Sequence, residues 1–239
     1  MLKKVFTILK VLLLAIVLLF IPRVGTWVAN MFNYDAIDPD GAFMWISVHH
    51  IIQALIFLII IVIIKKFKPM NFHLGIGNKE VGIKYLKRFM IIFALYTIIA
   101  FTVILLLDGF GAFQYPLNAR NIIGYLGFQL LLSGPSEELI FRAFAITIFV
   151  TFISSKRVDK HLSFAVLFAA VIFGIAHIQF SFQPFGLSYS LQQVFYAIGL
   201  GYFYGDCYEK SKSVIYPMIM HSYVNVLMVG VTIILSFIF

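Results

Sequence analysis

Two adjacent carboxylates and an arginine stand inside one of the most apolar parts of the chain. Glu137, Glu138 and Arg142 lie between the largely apolar runs 128–132 and 143–150. A charged side chain inside a lipid bilayer is unfavourable by roughly 3 to more than 10 kcal/mol, so it normally faces a partner or a wet cavity and marks a function. This cluster of charges therefore predicts a functional site.

The spacing of these residues predicts different roles for the two acids. On a helix, Glu138 and Arg142 are four residues apart and share a face, while Glu137 points roughly 100° away from Glu138. We expect Glu138 to pair with Arg142 and Glu137 to face a cavity. The alternative is that all three form one buried ion cluster that only locks helices together.

Histidines and an asparagine occur in other apolar runs. His177 ends a run that is rich in small residues, and His221 and Asn225 are four apart, on one helical face of the last run. Alone, each would more often be a packing or interhelical contact. The pair His49 and His50 has no acidic neighbour in sequence, and we interpret it as structural.

Taken together, one free carboxylate, two imidazoles and a carboxamide are sufficient for hydrolysis. A carboxylate, or a carboxylate with a histidine, can take a proton from water. A histidine and an asparagine can donate hydrogen bonds to a tetrahedral oxyanion, which contributes several kcal/mol in a dry, preorganised site. The set therefore predicts a water-activating hydrolytic centre spread over three membrane spans.

Composition indicates which kind of scaffold must hold these groups. The 239 residues are 62% hydrophobic and only 12% charged, which is typical of a polytopic α-helical membrane protein. The net charge of +8 does not predict nucleic-acid binding, because the basic residues fall in particular loops. The loop 65–88 carries seven Lys or Arg and one Glu. The positive-inside rule then predicts a cytoplasmic N-terminus. The short chain with its lysine-rich loops predicts a multi-pass protein of a bacterial plasma membrane.

The apolar runs predict an all-α bundle of about seven to eight transmembrane spans in a single domain, 1–239, with a catalytic core at about 121–231. The predicted spans are 5–21, 43–64, 90–107, 121–151, 162–178, 187–203 and 214–239. Counting 121–151 once places the loops around residues 156 and 212 on the same side as the loop 65–88, as the positive-inside rule favours.

The span 121–151 is predicted to be one discontinuous helix rather than two spans. Gly134 and Pro135 mark the expected break, since proline suits the first turn of a new helix. Ser133 or Ser136 is expected to cap the amides that such a break would free.

The motifs Glu-Glu-x-x-x-Arg at 137–142, Phe-x-x-x-His ending at His177 and His-x-x-x-Asn at 221–225 resemble, in this order, those of the CAAX protease and bacteriocin-processing family, also called CPBP or Abi. The resemblance covers roughly 121–231. It implies an eight-helix intramembrane endopeptidase that acts on a membrane-associated peptide or protein. By this resemblance, Glu137 and His177 activate water, His221 and Asn225 form the oxyanion hole, and Glu138 and Arg142 support them.

Glu137, His177 and His221 would also make a plausible zinc site. We favour a glutamate mechanism without a cofactor, because no His-Glu-x-x-His motif is present and Asn225 is a poor zinc ligand.

Two other classes of function remain as alternatives. One is a non-catalytic membrane partner, such as an immunity or regulatory protein. The other is a proton-coupled transporter that uses the intramembrane acids, which the absence of an internal repeat disfavours.

Overall fold

Long apolar helices dominate the structure, a computed structural model that describes residues 2–160, 162–182 and 185–239. The helices are α1 (Leu2–Phe20), α2 (Pro22–Ala29), α3 (Met44–Phe67), α4 (Lys79–Leu106), α5 (119–152), α6 (Phe164–Ile175), α7 (Leu191–Ser211) and α8 (Ile215–Ser236). Within the described ranges, four helical stretches are long and apolar enough to cross a membrane, namely Leu2–Ala29, Met44–Phe67, Lys79–Leu106 and Ile215–Ser236. The protein is therefore a multi-pass membrane protein, and the count of seven to eight spans stays a prediction.

Polar side chains define where several helices begin. Asn78, Asn118, Ser163 and Ser190 each accept a hydrogen bond from a backbone amide in the first turn of α4, α5, α6 and α7, respectively. Such caps satisfy amides that have no partner within the helix. The buried carboxylate of Asp38 does the same for α3, because it accepts from the backbone amides of Ala42, Phe43 and Met44.

Helix α5 is continuous, and the predicted break at Gly134 and Pro135 is wrong. It consists of Ala119–Phe128, a π-helical segment Gln129–Ser133, an α-helical turn Gly134–Glu138, a second π-helical segment Leu139–Phe144, and Ala145–Phe152. The chain absorbs the proline by widening the helix on either side of it instead of unwinding. The predicted capping by Ser133 or Ser136 is also wrong, since neither serine caps the turn that follows.

Helices α4 and α7 extend beyond their predicted spans, 90–107 and 187–203. The reason is that the polar residues in the extensions pair with one another across the two helices. The Tyr85 hydroxyl donates to the Asp206 carboxylate over 2.6 Å, and Lys210 Nζ lies 2.8 Å from the same carboxylate. Paired polar groups allow a helix to continue where its hydropathy falls.

A β-hairpin interrupts the predicted all-helical fold between α6 and α7. Strand β1 (Gln179–Phe182) pairs antiparallel with β2 (Phe185–Ser188). Alternation of polar and aromatic residues from Gln179 onward has the period of two that a strand requires. The prediction that residue 187 begins a helical span is therefore wrong, and α7 starts at Leu191.

Helix α5 packs closely against α8, and α6 packs closely against α7. A Cβ atom at Gly134 would lie 2.8 Å from the Ser222 backbone nitrogen of α8. A Cβ atom at Gly201 of α7 would lie 3.0 Å from Cα of Ala170 in α6, a close approach of the kind that small residues allow. These contacts fix the helices that carry the candidate site residues.

Candidate active site

A buried ion pair lies at the centre of the site. Arg142 Nε is 2.9 Å from Glu138 Oε2, and both side chains are completely inaccessible to solvent. The predicted pairing of these two residues is thus present. The guanidinium lies 4.6 Å over the ring of Phe173 and 5.4 Å from that of Tyr204, so aromatic faces cover the part of Arg142 that the carboxylate does not.

His221 extends this pair into a chain of three side chains. Its Nδ1 lies 2.9 Å from Glu138 Oε1, and its ring stacks on Tyr204 at a centroid distance of 5.2 Å. Because a carboxylate only accepts hydrogen bonds, Nδ1 carries the proton of this contact. The second ring nitrogen, Nε2, is therefore the one that His221 presents to the rest of the site.

Of the two adjacent acids, Glu137 is the one whose side chain reaches an open space. Its side chain is 21% exposed, whereas that of Glu138 is fully buried. Its Oε2 lies 3.8 Å from Nε2 of His221, and its Oε1 lies 3.9 Å from Nε2 of His50. Glu137 thus stands between two imidazoles, with neither close enough for a direct hydrogen bond.

His50 is the site residue that sequence reasoning missed. It is buried on α3, where its Nδ1 lies 2.6 Å from Ser136 Oγ and 3.0 Å from Gln53 Nε2. Two potential donors at Nδ1 favour the tautomer with the proton on Nε2, which is directed at Glu137. A possible signal was Gln53, three residues on and on the same helical face, because two polar side chains then share one face of an apolar span.

Asn225 lies one helical turn beyond His221 on α8. Its Nδ2 donates a hydrogen bond of 3.0 Å to Ser133 Oγ of α5. The neighbouring Ser222 donates to the Leu130 carbonyl over 2.8 Å. Both acceptors belong to the first π-helical segment, so the widened turn supplies the contacts that hold α8 in register with Glu137.

His177 follows the end of α6 and lies apart from this cluster. Its Nδ1 donates to the Phe173 carbonyl over 2.8 Å, which leaves Nε2 without a proton in the neutral ring. The Phe173 ring lies edge-on to both His177 and His221, at 4.9 and 5.8 Å between centroids. Within the described part of the chain, no polar contact joins His177 to Glu137.

The shortness of α6 affects the depth at which His177 lies. Placed on full-length antiparallel spans, His177 and His221 would be at different depths. Helix α6 has only 12 residues and is therefore about 18 Å long, against roughly 30 Å for the apolar part of a bilayer. His177 therefore lies at the end of a short helix, not at the far end of a full span.

The described residues contain no group of three or more His, Cys, Asp or Glu side chains arranged to hold a metal ion. In particular, the three candidate zinc ligands, Glu137, His177 and His221, do not form such a group. The choice between a glutamate and a zinc mechanism stays a prediction that a chelation experiment can test.

The multi-pass helical scaffold thus holds a buried carboxylate–arginine pair beside a second carboxylate that lies between two imidazoles. Residues 119–227 match the family model described as type II CAAX prenyl endopeptidase Rce1-like. The match covers residues 119–227 and confirms the resemblance predicted from the three motifs. Comparisons with curated proteins and with solved structures gave no significant match.

Proposed function

We propose that this protein hydrolyses a peptide bond in a membrane-associated peptide or protein, with Glu137 as the general base. The observation that supports this role is the different surroundings of the two carboxylates. Arg142 and His221 engage Glu138, while Glu137 is partly exposed and has only imidazoles beside it. A carboxylate with no cation bound to it can accept a proton from water.

Two imidazoles assist Glu137 in this proposal. His50 directs its Nε2–H toward one carboxylate oxygen and holds the carboxylate in place, across a gap of 3.9 Å that a small movement or a water can close. His177 offers an unprotonated Nε2, which can accept a hydrogen bond from the same attacking water. The water oxygen then attacks the carbonyl carbon of the substrate while its proton passes to Glu137.

His221 and Asn225 stabilise the oxyanion that this attack creates. In this role His221 donates to the oxyanion from Nε2 while Nδ1 donates to Glu138, so both ring nitrogens carry a proton at that stage of the reaction. Asn225 uses one amide hydrogen for Ser133 and has the other for the oxyanion. When the C–N bond breaks, Glu137 returns its proton to the leaving amine.

In this proposal the reaction takes place within the membrane. The substrate reaches the site from the lipid bilayer, the enzyme needs no cofactor, and nucleic acid is not a partner. We place the protein in a bacterial plasma membrane with its N-terminus in the cytoplasm, because the loop 65–88 is strongly basic.

The test uses a library of peptides with one apolar segment, reconstituted in vesicles with wild type, Glu137→Gln or Glu80→Gln. Glu80 is an exposed acid in the first turn of α4 and controls for the loss of one charge. In water enriched in oxygen-18, mass spectrometry identifies hydrolysis by the label in each new carboxylate. We expect labelled products with wild type and Glu80→Gln and none with Glu137→Gln.

A zinc chelator separates the two mechanisms in the same assay. Cleavage that is unchanged by the chelator supports the glutamate mechanism. Loss of cleavage that added zinc restores would instead make the histidines metal ligands. Full cleavage by Glu137→Gln would remove Glu137 from the mechanism and contradict the proposal.

A further inference from the structure

A cavity lies at the end of the bundle where α3, α5 and α7 end. It has a volume of about 650 Å³, within the range of small-molecule sites. Three loops line it, which follow Phe67, Phe152 and Ser211, respectively. These are the three loops that the positive-inside rule assigned to one side of the membrane, and the structure brings them together around one space.

The lining of this basic cavity is strongly cationic. Its cationic side chains are Lys68, Lys156, Arg157, Lys160, Lys210 and Lys212. Arg157 pairs with Glu209 at 3.3 Å, and Lys210 pairs with Asp206 at 2.8 Å. Among the described residues, no carboxylate lies within ion-pair distance of the other four lysines.

The partial negative charges at the helix C-termini are too small to account for this number of cationic side chains. Each helix C-terminus carries roughly half a negative charge, so the three that meet here supply about one and a half. The Lys10 ammonium already binds the Phe152 carbonyl at the end of α5. Even with Asp159 included, the positive charge exceeds the negative charge in this region.

His73 does not add to this excess. Burial and the nearby Lys212 ammonium lower the pKa of His73, so its ring is neutral at pH 7. Tyr208 and Thr147, whose hydroxyl groups are hydrogen-bonded to each other, also line the cavity and are polar but uncharged. A lining of cationic side chains and hydroxyl groups suits an oxyanion.

We propose that the basic cavity binds a phosphate group, carried by an anionic phospholipid head group or by free phosphate. The apolar surroundings favour the lipid. Phe67, Val150 and Phe152, at the ends of α3 and α5, are 81%, 40% and 41% exposed, and they provide a surface for acyl chains beside the cavity. Basic pockets at the cytoplasmic ends of membrane helices bind anionic lipid head groups in this way.

The test measures binding of short-chain phosphatidylglycerol by calorimetry to the whole protein in a neutral detergent, with phosphatidylcholine and inorganic phosphate as the other probes. One variant carries Lys156→Gln and Lys160→Gln, and a second carries Lys68→Gln and Lys212→Gln. The matched control carries Lys84→Gln and Lys87→Gln on the exposed face of α4, with the same change of charge.

Each lysine near an anionic lipid is worth about fivefold in affinity, so each cavity variant should bind phosphatidylglycerol roughly 20-fold more weakly. The control should stay within about twofold of wild type. Displacement of the lipid by inorganic phosphate, or direct phosphate binding with the same lysine dependence, identifies free phosphate as a ligand too. Equal affinity in the cavity and control variants, or equally tight binding of phosphatidylcholine, overturns the proposal.

Discussion

The candidate active site has two halves that are held very differently. The anchored half comprises His50, residues 133–142 of α5 and residues 221–225 of α8, and its members bind one another across three helices. The terminal half is His177 at the end of α6, whose polar contact within the described residues is to the turn that precedes it. Both halves carry residues of the same proposed reaction.

This difference separates the general base and the groups that stabilise charge from a histidine that only assists the attacking water. Groups that stabilise charge must be held in place before the reaction, because they lower the barrier most when they do not have to reorganise during it. A group that only assists a water can be placed by the end of a short helix. Substitutions in the anchored half should therefore affect folding and activity together, and those in the terminal half should affect activity alone.

The largest effect is expected for Arg142→Ala, which tests the anchored half. It strands the fully buried Glu138 carboxylate, and breaking a buried pair destabilises a protein by about 3–5 kcal/mol. We expect lower yield, a lower unfolding temperature in detergent and no cleavage. Arg157→Ala is the control, because its ion pair with Glu209 is partly exposed and should change stability by less than about 1 kcal/mol. Similar unfolding of the two variants would contradict the central role of the buried pair.

The direct comparison of the two halves is His221→Ala against His177→Ala. His177→Ala should lower the rate of cleavage by about 10²–10⁴, the usual contribution of an acid–base group. His221→Ala should lower it by about 10²–10³, the contribution of one oxyanion donor. His221→Ala should also destabilise the protein by about 1–3 kcal/mol, since it removes a partner from buried Glu138. His177→Ala should leave the unfolding temperature unchanged. Equal destabilisation by both would remove the distinction between the halves.

Asn225→Ala sharpens the assignment within the anchored half. An oxyanion donor contributes about 10²–10³ to kcat, so turnover should fall by that factor while KM changes little. Asn225→Asp is the companion variant, because it keeps the shape but places a negative charge against the oxyanion. A rise of KM by the same factor, with kcat unchanged, would assign Asn225 to substrate binding instead.

His50→Gln is expected to have the smallest effect. One hydrogen bond that orients Glu137 is worth about 0.5–1.5 kcal/mol, which corresponds to a roughly threefold to tenfold lower kcat. The acid limb of the pH–rate profile should move as well, which a purely structural role would not cause. His49→Gln serves as the control, since His49 contacts Thr26 and not Glu137. Identical profiles for the two variants would return His50 to a structural role.

The sequence predicted what depends on local spacing. Four-residue separation was enough to pair Glu138 with Arg142, and the charge of the loops was enough to group them at one end of the bundle. Gln53 indicated a polar face of α3, but the contact of His50 with Ser136 could not be predicted, because it spans 86 positions and depends on how α3 packs against α5. The apolar neighbours of His50 in sequence carry no information about that packing.

The π-helical turns of α5 could not be predicted from the sequence of α5 alone either. A proline after a glycine predicts a break, yet α8 approaches Gly134 closely and the helix is retained with wide turns on both sides. The extensions of α4 and α7 were missed for a similar reason, since the hydropathy of each helix alone does not include the pairing of Tyr85 with Asp206. In both cases contacts between helices decided the outcome.

The two π-helical segments of α5 have a consequence for changes in chain length. A π-helical turn accommodates one more residue than an α-helical turn, so deletion of one residue in Gln129–Ser133 would convert the segment to regular helix. The helix on either side would keep nearly the same orientation, because the wide turn already holds its extra residue within one turn. The change would instead fall on the Leu130 carbonyl and the Ser133 hydroxyl, which accept hydrogen bonds from Ser222 and Asn225 of α8. The extra residue in this stretch is thus a requirement for the contact with α8 and not for the direction of the helix.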